Sequence, residues 1–422
     1  MLTLAKGTAD NPGPDSQPKK APMSPTADTP GAPMKELAEA WERFCDELKA
    51  AGRIPLNAVL PGNDRDRAAG FQQLARNISL ALQFNYEFTN PRLPEFARYF
   101  DPTRKQGGDN SDCVYMGAQI NGSDTYRISG DRGTARYFSV VVVEDGDTPW
   151  GGRVAGTLFG HQIETAADGS FELFLGPEPR PGNWLQTTER CFRVTIRQYF
   201  ADWLQERPLR ARIDRISGPD EEAPLLSPHA LARGLLDSAD WLQRSVAYWP
   251  WMLEKWRTQP NTFRSYWQLE ENRIDATPGG DPLVCLWQLP EDEALIIRVR
   301  PPQCVYWGVE FGNCWWETVD YRYRLSNTNM HYAAIEEDGE LIVVVAHHDP
   351  GVPNWLDCAG FSIGYVTFRW MLSAEHPVPQ CTQVPLQALS DHLPAGVRRI
   401  DAAGRREQLA ERRRGVTARF GY

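Results

Sequence analysis

No stretch of this 422-residue chain strings together the about 18 apolar residues that a membrane helix requires. The opening Met1-Leu2-Thr3-Leu4-Ala5-Lys6-Gly7 has no apolar run of the kind that begins a secretory signal. The eight cysteines (Cys45, Cys113, Cys191, Cys285, Cys304, Cys314, Cys358 and Cys381) include no Cys-x-x-Cys pair, so neither a zinc knuckle nor a thioredoxin-type redox centre is expected. No strand leads through a glycine-rich loop into a helix, which speaks against a Rossmann or P-loop nucleotide site. A Gly-x-Ser-x-Gly hydrolase elbow is missing. Positive charge is short as well: the formal net charge of −10 argues against a general nucleic-acid binder, because attraction to phosphate needs excess cations. Scattered thiols and no export signal make cytoplasmic residence the expectation.

Tryptophan is what the chain has in abundance. Fifteen of these large amphipathic rings suit a thick core, a broad apolar pocket or a stacking surface. The length allows two to three domains, or one large core with additions. Residues 1–33, rich in Pro, Ala, Ser, Thr and Asp, read as a disordered leader. A helical N-terminal region follows over 34–100. Leu37, Trp41, Phe44 and Leu48 repeat at helical spacing, and so do Phe71, Leu74, Ile78 and Leu82.

A first β region covers 101–224. Its strand signals are Tyr137–Val143, Phe171–Leu175 and Arg193–Phe200, with glycine-rich turns between and an acidic linker at 217–224. Ser227 and Pro228 supply an N-cap and a first-turn proline for a helical insertion over 225–262, which Pro250 is expected to kink or break. A second β region covers 263–384, with strands near 283–289, 294–300, 306–311 and 341–345. The two β regions read as unequal halves of one sandwich, without a visible internal repeat. The tail from 385 is arginine-rich. From 398 onward it sets eight arginines against Asp401, Glu407 and Glu411, as a solvated or crossing helix that meets an acidic surface, or an arm that touches a polyanion or a membrane.

Chemistry-bearing residues crowd together most densely in Ala346-His347-His348-Asp349-Pro350-Gly351-Val352-Pro353-Asn354-Trp355-Leu356-Asp357. Two prolines and a glycine shape this loop where it leaves a strand, which is how rigid scaffolds present functional groups. Imidazole titrates near neutral pH and serves as a general acid or base. Adjacent strand residues face opposite ways, so one of His347 and His348 would enter a cavity; His348, beside Asp349, is the favoured one. His331 and Asp320 are further candidates for acid/base work, and Tyr115 is a candidate proton donor. Arg324 and Arg369 would hold an anionic group on a substrate, against the plainer role of an ion pair such as one with Asp320. Trp316, Tyr321, Trp355 and Asn354 complete the expected binding set; Asn354 and Asp349 alternatively cap the turn. No compact ligand set is visible, so no metal and no cofactor are expected.

The run from His347 to Asp357, Phe368-Arg369-Trp370 and Trp316-Glu317-Thr318-Val319-Asp320-Tyr321-Arg322 resemble an uncharacterised bacterial family, a domain of unknown function numbered twelve-fourteen. The resemblance extends loosely to Asn110-Ser111-Asp112-Cys113-Val114-Tyr115 and Tyr126–Gly130, over roughly residues 100–380. It implies a jelly-roll β-sandwich with helical additions and a role in catabolism or biosynthesis.

The expected architecture is therefore mainly β: a jelly-roll-like β-sandwich with a helical N-terminal region and a helical insertion. The expected function is a cofactor-independent enzyme of lyase, isomerase or hydrolase type. It would act on a hydrophobic, aromatic or polycyclic small molecule by general acid/base chemistry. A non-catalytic module stacking sugars or aromatic rings on tryptophan is the alternative, and a structural or assembly protein a third. The partner is a small-molecule substrate rather than nucleic acid or membrane, with a homodimer left open. An enclosed cavity faced by His347 or His348 would mark the enzyme; a shallow groove with exposed coplanar tryptophans would mark the sugar module.

Overall fold

The computed structural model describes residues 31–219, 222–266 and 277–421; most of the expected leader lies outside this range. Ala32–Ala51 (α1) is the first helix, so residues 32 and 33 belong to it rather than to the leader. A short turn, Arg53–Asn57 (α2), leads to Asp64–Leu82 (α3). The start of α3 is set by a capping box: the Asn63 side chain accepts from the Asp66 amide while Asp66 reaches back to the Asn63 amide. Two expected stripe residues face solvent instead of the core, Trp41 at 53% exposure and Phe71 at 44%; Phe44 and Leu74 are buried as the spacing predicts. The insertion is one long helix, Pro228–Glu254 (α4), capped by the Ser227 hydroxyl. It continues through Pro250 and packs on α1 and α3.

Eighteen strands follow among the described residues, in two sets. The first is Ala97–Arg98 (β1), Cys113–Gln119 (β2), Tyr126–Asp131 (β3), Tyr137–Glu144 (β4), Val154–Phe159 (β5), Ser170–Gly176 (β6), Trp184–Gln186 (β7), Cys191–Tyr199 (β8) and Arg210–Arg215 (β9). The second is Arg264–Ser265 (β10), Leu283–Gln288 (β11), Glu293–Val299 (β12), Tyr306–Asn313 (β13), Asn327–Asn329 (β14), Leu341–Ala346 (β15), Trp355–Asp357 (β16), Ile363–Met371 (β17) and Gln380–Pro385 (β18). The first set forms sheets ordered β1-β2-β8-β4-β5 and β7-β6-β3-β9; the second forms β10-β11-β17-β13-β14 and β16-β15-β12-β18.

These orders are identical once nine is added to each strand number. Even the parallel pairs correspond, β6 with β7 and β15 with β16, in sheets otherwise antiparallel. The chain thus carries two nine-strand sandwiches of one topology, not two halves of one. The repeat was hidden because it is conserved in strand order while most side chains differ.

Each sandwich closes on its own core, the first around Ile128, Val140, Leu173 and Ile196, the second around Trp287, Ile297, Val343 and Phe368. The outer faces of the two five-stranded sheets share a third core with α3 and α4. It includes Cys113, Tyr115 and Tyr199 from one sandwich and Val284, Tyr306 and Tyr365 from the other. Period-two alternation makes this possible: Val194 and Ile196 turn inward, leaving Thr195, Arg197 and Tyr199 for the opposite face. The tail ends in Leu389–His392 (α5) and Ala402–Phe420 (α6). Rather than lying solvated, α6 crosses the body and buries Arg405, Arg412 and Arg419. The architecture is mixed α and β: N-terminal helices, a helical insertion and four largely antiparallel sheets. Among the described residues no helix is long and apolar enough to cross a membrane.

Candidate functional site

A cavity of about 100 Å³ opens where the two five-stranded sheets face each other beneath α4. Its walls are aromatic, with Tyr99, Phe100, Tyr115, Trp150, Trp249, Tyr266 and Trp316 around it. Polar groups enter from the two central strands: Arg197 from β8, and Thr367 with Arg369 from β17. Gly107 and Gly108 form one side. Both have left-handed backbones, φ +64° and +70°, and a Cβ on Gly108 would lie 2.4 Å from the Trp316 indole nitrogen. Glycine is what lets this loop lie flat against the tryptophans. Trp316 is itself left-handed at φ 58°, a strain of order 1–3 kcal/mol in a non-glycine residue.

Among the described lining residues the charged groups are the guanidinium groups of Arg197 and Arg369. Burial pulls the Arg369 guanidinium down, but the phenols and thiol of Tyr199, Tyr115, Cys113 and Tyr365 outweigh that and leave it raised, so it stays charged. Its Nε is buried without a hydrogen-bond partner, and no ion pair joins it to a carboxylate among the described residues. No described acid lines the cavity. Burial pushes the Tyr115 phenol well above its ordinary value, so it is a proton donor rather than a base. Its oxygen accepts from the Asn110 amide at 3.1 Å, which leaves the phenolic proton to donate elsewhere.

Of the expected site residues, Tyr115, Trp316 and Arg369 meet here; the others do not. β15 belongs to the outer, four-stranded sheet of its sandwich, and one face of that strand packs under the tail through Ile342, Val344 and Ala346. The loop after it therefore opens away from the space between the sandwiches. His348 is 67% exposed and lies 3.9 Å from Glu291. The His347 ring meets the Leu289 carbonyl at 3.2 Å. Asp349 binds the Arg405 guanidinium through both carboxylate oxygens. His331 is exposed near Asp202. Asp320 pairs with Arg322 at 2.8 Å and Arg324 with Asp357 at 2.7 Å. Asn354 ties its loop to the carbonyls of Ala334 and Ile342, and Trp355 lies under Arg405. Tyr321 is buried against the Lys105 ammonium, 4.3 Å from its ring centre. Apart from a bridge at Thr318, residues 314–324 form turns and loop rather than a strand, so Trp316, Asp320, Arg322 and Arg324 do not share a strand face. Among the described residues no group of three or more His, Cys, Asp or Glu could hold a metal.

The sequence reading missed Arg197, Thr367 and the Gly107–Gly108 wall. A signal for the first two was present: Val194-Thr195-Ile196-Arg197 and Val366-Thr367-Phe368-Arg369 are the same pattern written twice.

A family profile described as a protein of unknown function, DUF1214, matches residues 115–202. That segment spans most of the first sandwich, including Tyr115, Trp150 and Arg197, and does not reach the motif at 347–357. The crystal structure of an uncharacterised protein from Burkholderia cenocepacia is similar at 33% identity and a TM-score of 0.80, over 84% of this chain and 99% of that one. A protein from Vibrio parahaemolyticus is far less similar, at 10% identity and a TM-score of 0.43, over 75% of this chain and 98% of that one. No curated protein matches the chain. On the profile match and the Burkholderia relative together, the chain belongs to the DUF1214 family of proteins of unknown function.

Proposed function

We propose that this protein binds a compact anionic small molecule in the cavity between its two sandwiches. The observation that carries this reading is Arg369: a charged guanidinium lining an aromatic-walled cavity, with a buried Nε that meets no acceptor. Arg369 is partly buried, and a desolvated charge left uncompensated is destabilising, so such a group is best explained by a partner that arrives from outside. The aromatic walls suit a short apolar body and the guanidinium suits a carboxylate. Size narrows the expected substrate. The cavity of about 100 Å³ is smaller than the ~150 Å³ that accepts benzene, which favours a compact acid over a polycyclic one.

Acid/base catalysis remains part of the proposal through Tyr115, whose proton could pass to a substrate oxygen; the surface histidines have no part in it. Binding is the better supported of the two, since no described base lines the cavity. The tryptophans around it wall a recess and form no shallow stacking groove. The jelly-roll reading is supported by the way the chain crosses between sheets, from β2 to β3, β3 to β4, β5 to β6, β7 to β8 and β8 to β9.

Short carboxylic acids titrated into the full chain test the proposal. Binding should raise the melting temperature, with about 2.7 kcal/mol of stabilisation at a hundredfold excess over Kd, and Arg369→Gln should remove the effect. A ligand-induced shift of equal size in the variant would end the proposal.

A further inference from the structure

The core of the second sandwich holds two cysteines that face each other from opposite sheets. Cys285 lies on β11 and turns inward with Leu283 and Trp287, while Val284 and Leu286 go to the shared core on the other face. Cys381 lies on β18, an edge strand whose one neighbour is β12. It pairs with the inward-facing Ile297 and packs against the same core, whereas Val384 of its strand goes with Ala294 to the outer face. The two strands are tied nearby: the Asn261 side-chain amide donates to the Gln288 carbonyl at 2.9 Å and to the Gln383 side chain at 2.6 Å. Both cysteines are free thiols in this structure. They hydrogen-bond each other, and burial first, then this contact, hold the Cys285 thiol well above its ordinary value. Exposure separates them: Cys285 is fully buried and Cys381 is partly exposed, so a reagent in solution meets Cys381 first.

We propose that Cys285 and Cys381 are a site of reversible oxidation, forming a disulfide that fastens the edge strand β18 across the second sandwich. The oxidant is hydrogen peroxide. The Cys381 thiolate attacks one peroxide oxygen; an S–O bond forms, the O–O bond breaks and hydroxide leaves. The Cys285 sulfur then attacks the sulfenic sulfur, forming S–S and breaking S–O, and its proton leaves with the hydroxyl as water. Two thiols are oxidised and one peroxide is reduced to two waters. β-Sandwiches accommodate bridges between their sheets, and a strand paired on one side only is free to close the last distance. The bond encloses about a hundred residues of chain. It pins the strand from which the tail with α5 and α6 departs, at a sheet edge that is otherwise the weak border of the sandwich. The site is independent of the cavity and its ligand.

Hydrogen peroxide applied to the folded full chain tests this. Remaining thiols are blocked with iodoacetamide after denaturation, and the digest is read by mass spectrometry. A peptide joining Cys285 to Cys381 is expected, and dithiothreitol should separate it. The oxidised chain should melt about 5 °C or more above the reduced one, and dithiothreitol should reverse the shift. Cys381→Ser, a change at a partly exposed edge position, should abolish both the cross-link and the shift. Cys285→Ala should abolish them too; if that variant does not fold, Cys381→Ser and the natural chain decide by themselves. Oxidation that stops at sulfinic acid on Cys381, with no cross-linked peptide, would overturn the proposal. So would a chain that keeps all its thiols, a bridge between other cysteines, or the same melting shift in Cys381→Ser.

Discussion

Asp112 shows how much one carboxylate can organise. Its two oxygens accept from the Trp203 indole at 2.6 Å, the Asn327 amide at 2.7 Å, the Tyr306 hydroxyl at 2.7 Å and the Asn329 amide at 2.9 Å. Trp203 follows the first sandwich's β8, and the other three donors belong to the second, so this residue joins them. The Asn110 side chain accepts from the Asp112 amide at 2.8 Å and holds the turn that presents it. Beside it Arg412 holds Asn327, and Arg419 donates to the Ser111 carbonyl at 2.9 Å. Asp112→Asn replaces one acceptor with a donor amid four donors and removes the negative charge near both arginines. It should cost about 3–5 kcal/mol, read as a lower urea midpoint at unchanged slope. A loss below about 1 kcal/mol would mean that the network relaxes around the substitution.

Among the elements, α6 departs most from what its composition suggests. Its arginines are not a field for polyanions but three pegs about two turns apart. Arg405 grips Asp349, Arg412 stacks on Trp203 5.0 Å from the ring centre, and Arg419 reaches Ser111. Seven-residue spacing keeps all three on one face of a helix, and that face lies across the second sandwich and the junction with the first. Burial raises the Asp349 carboxyl, but the Arg405 guanidinium and the Gly351 amide outweigh it and leave it lowered. The residue that looked like a partner for a catalytic histidine is therefore an anchor for the last helix. A double-mutant cycle on Arg405→Ala and Asp349→Ala should give a coupling of about 1 kcal/mol, held down by solvent at the half-exposed carboxylate. The same substitutions should leave ligand affinity unchanged. Additive losses would show that the pair holds nothing.

For the molecule as a whole, stability depends on charge buried between the helices and the two sandwiches. Glu317 is fully buried, 3.0 Å from Arg76. Burial pushes its carboxyl from 4.5 up to about 7, against the pull of Arg76 and Lys105 and with the push of Asp109. Between those two values the folded chain holds more protons than the unfolded chain. Stability should therefore fall as pH rises through that window and level off above it. The cost at neutral pH and above is about 3 kcal/mol. Glu317→Gln, neutral at every pH, should flatten the fall between about pH 5 and pH 7.5 in urea titrations. An unchanged slope would place the burden on another group.

The sequence by itself determined the local structure. Alternation located the strands from 171 and 193, and short apolar runs those from 137, 283, 294, 306 and 341; Ser227 and Pro228 located the start of α4; and the lack of long apolar runs excluded a membrane helix. These are legible because a strand or helix is specified by near neighbours. The sequence also held three cavity residues, Tyr115, Trp316 and Arg369, among many that go elsewhere. Only the tertiary structure decided which ones converge. Two sandwiches had to form, turn their outer faces together and bring β8 and β17 into opposition, although their arginines lie 172 residues apart in the chain. A dense local motif such as His347-His348-Asp349 draws attention because its members are adjacent. In the fold it serves as a surface turn and a helix anchor, because its strand lies in the outer sheet. A cavity between domains is lined from distant strands, one or two residues at a time, so no window of sequence contains it.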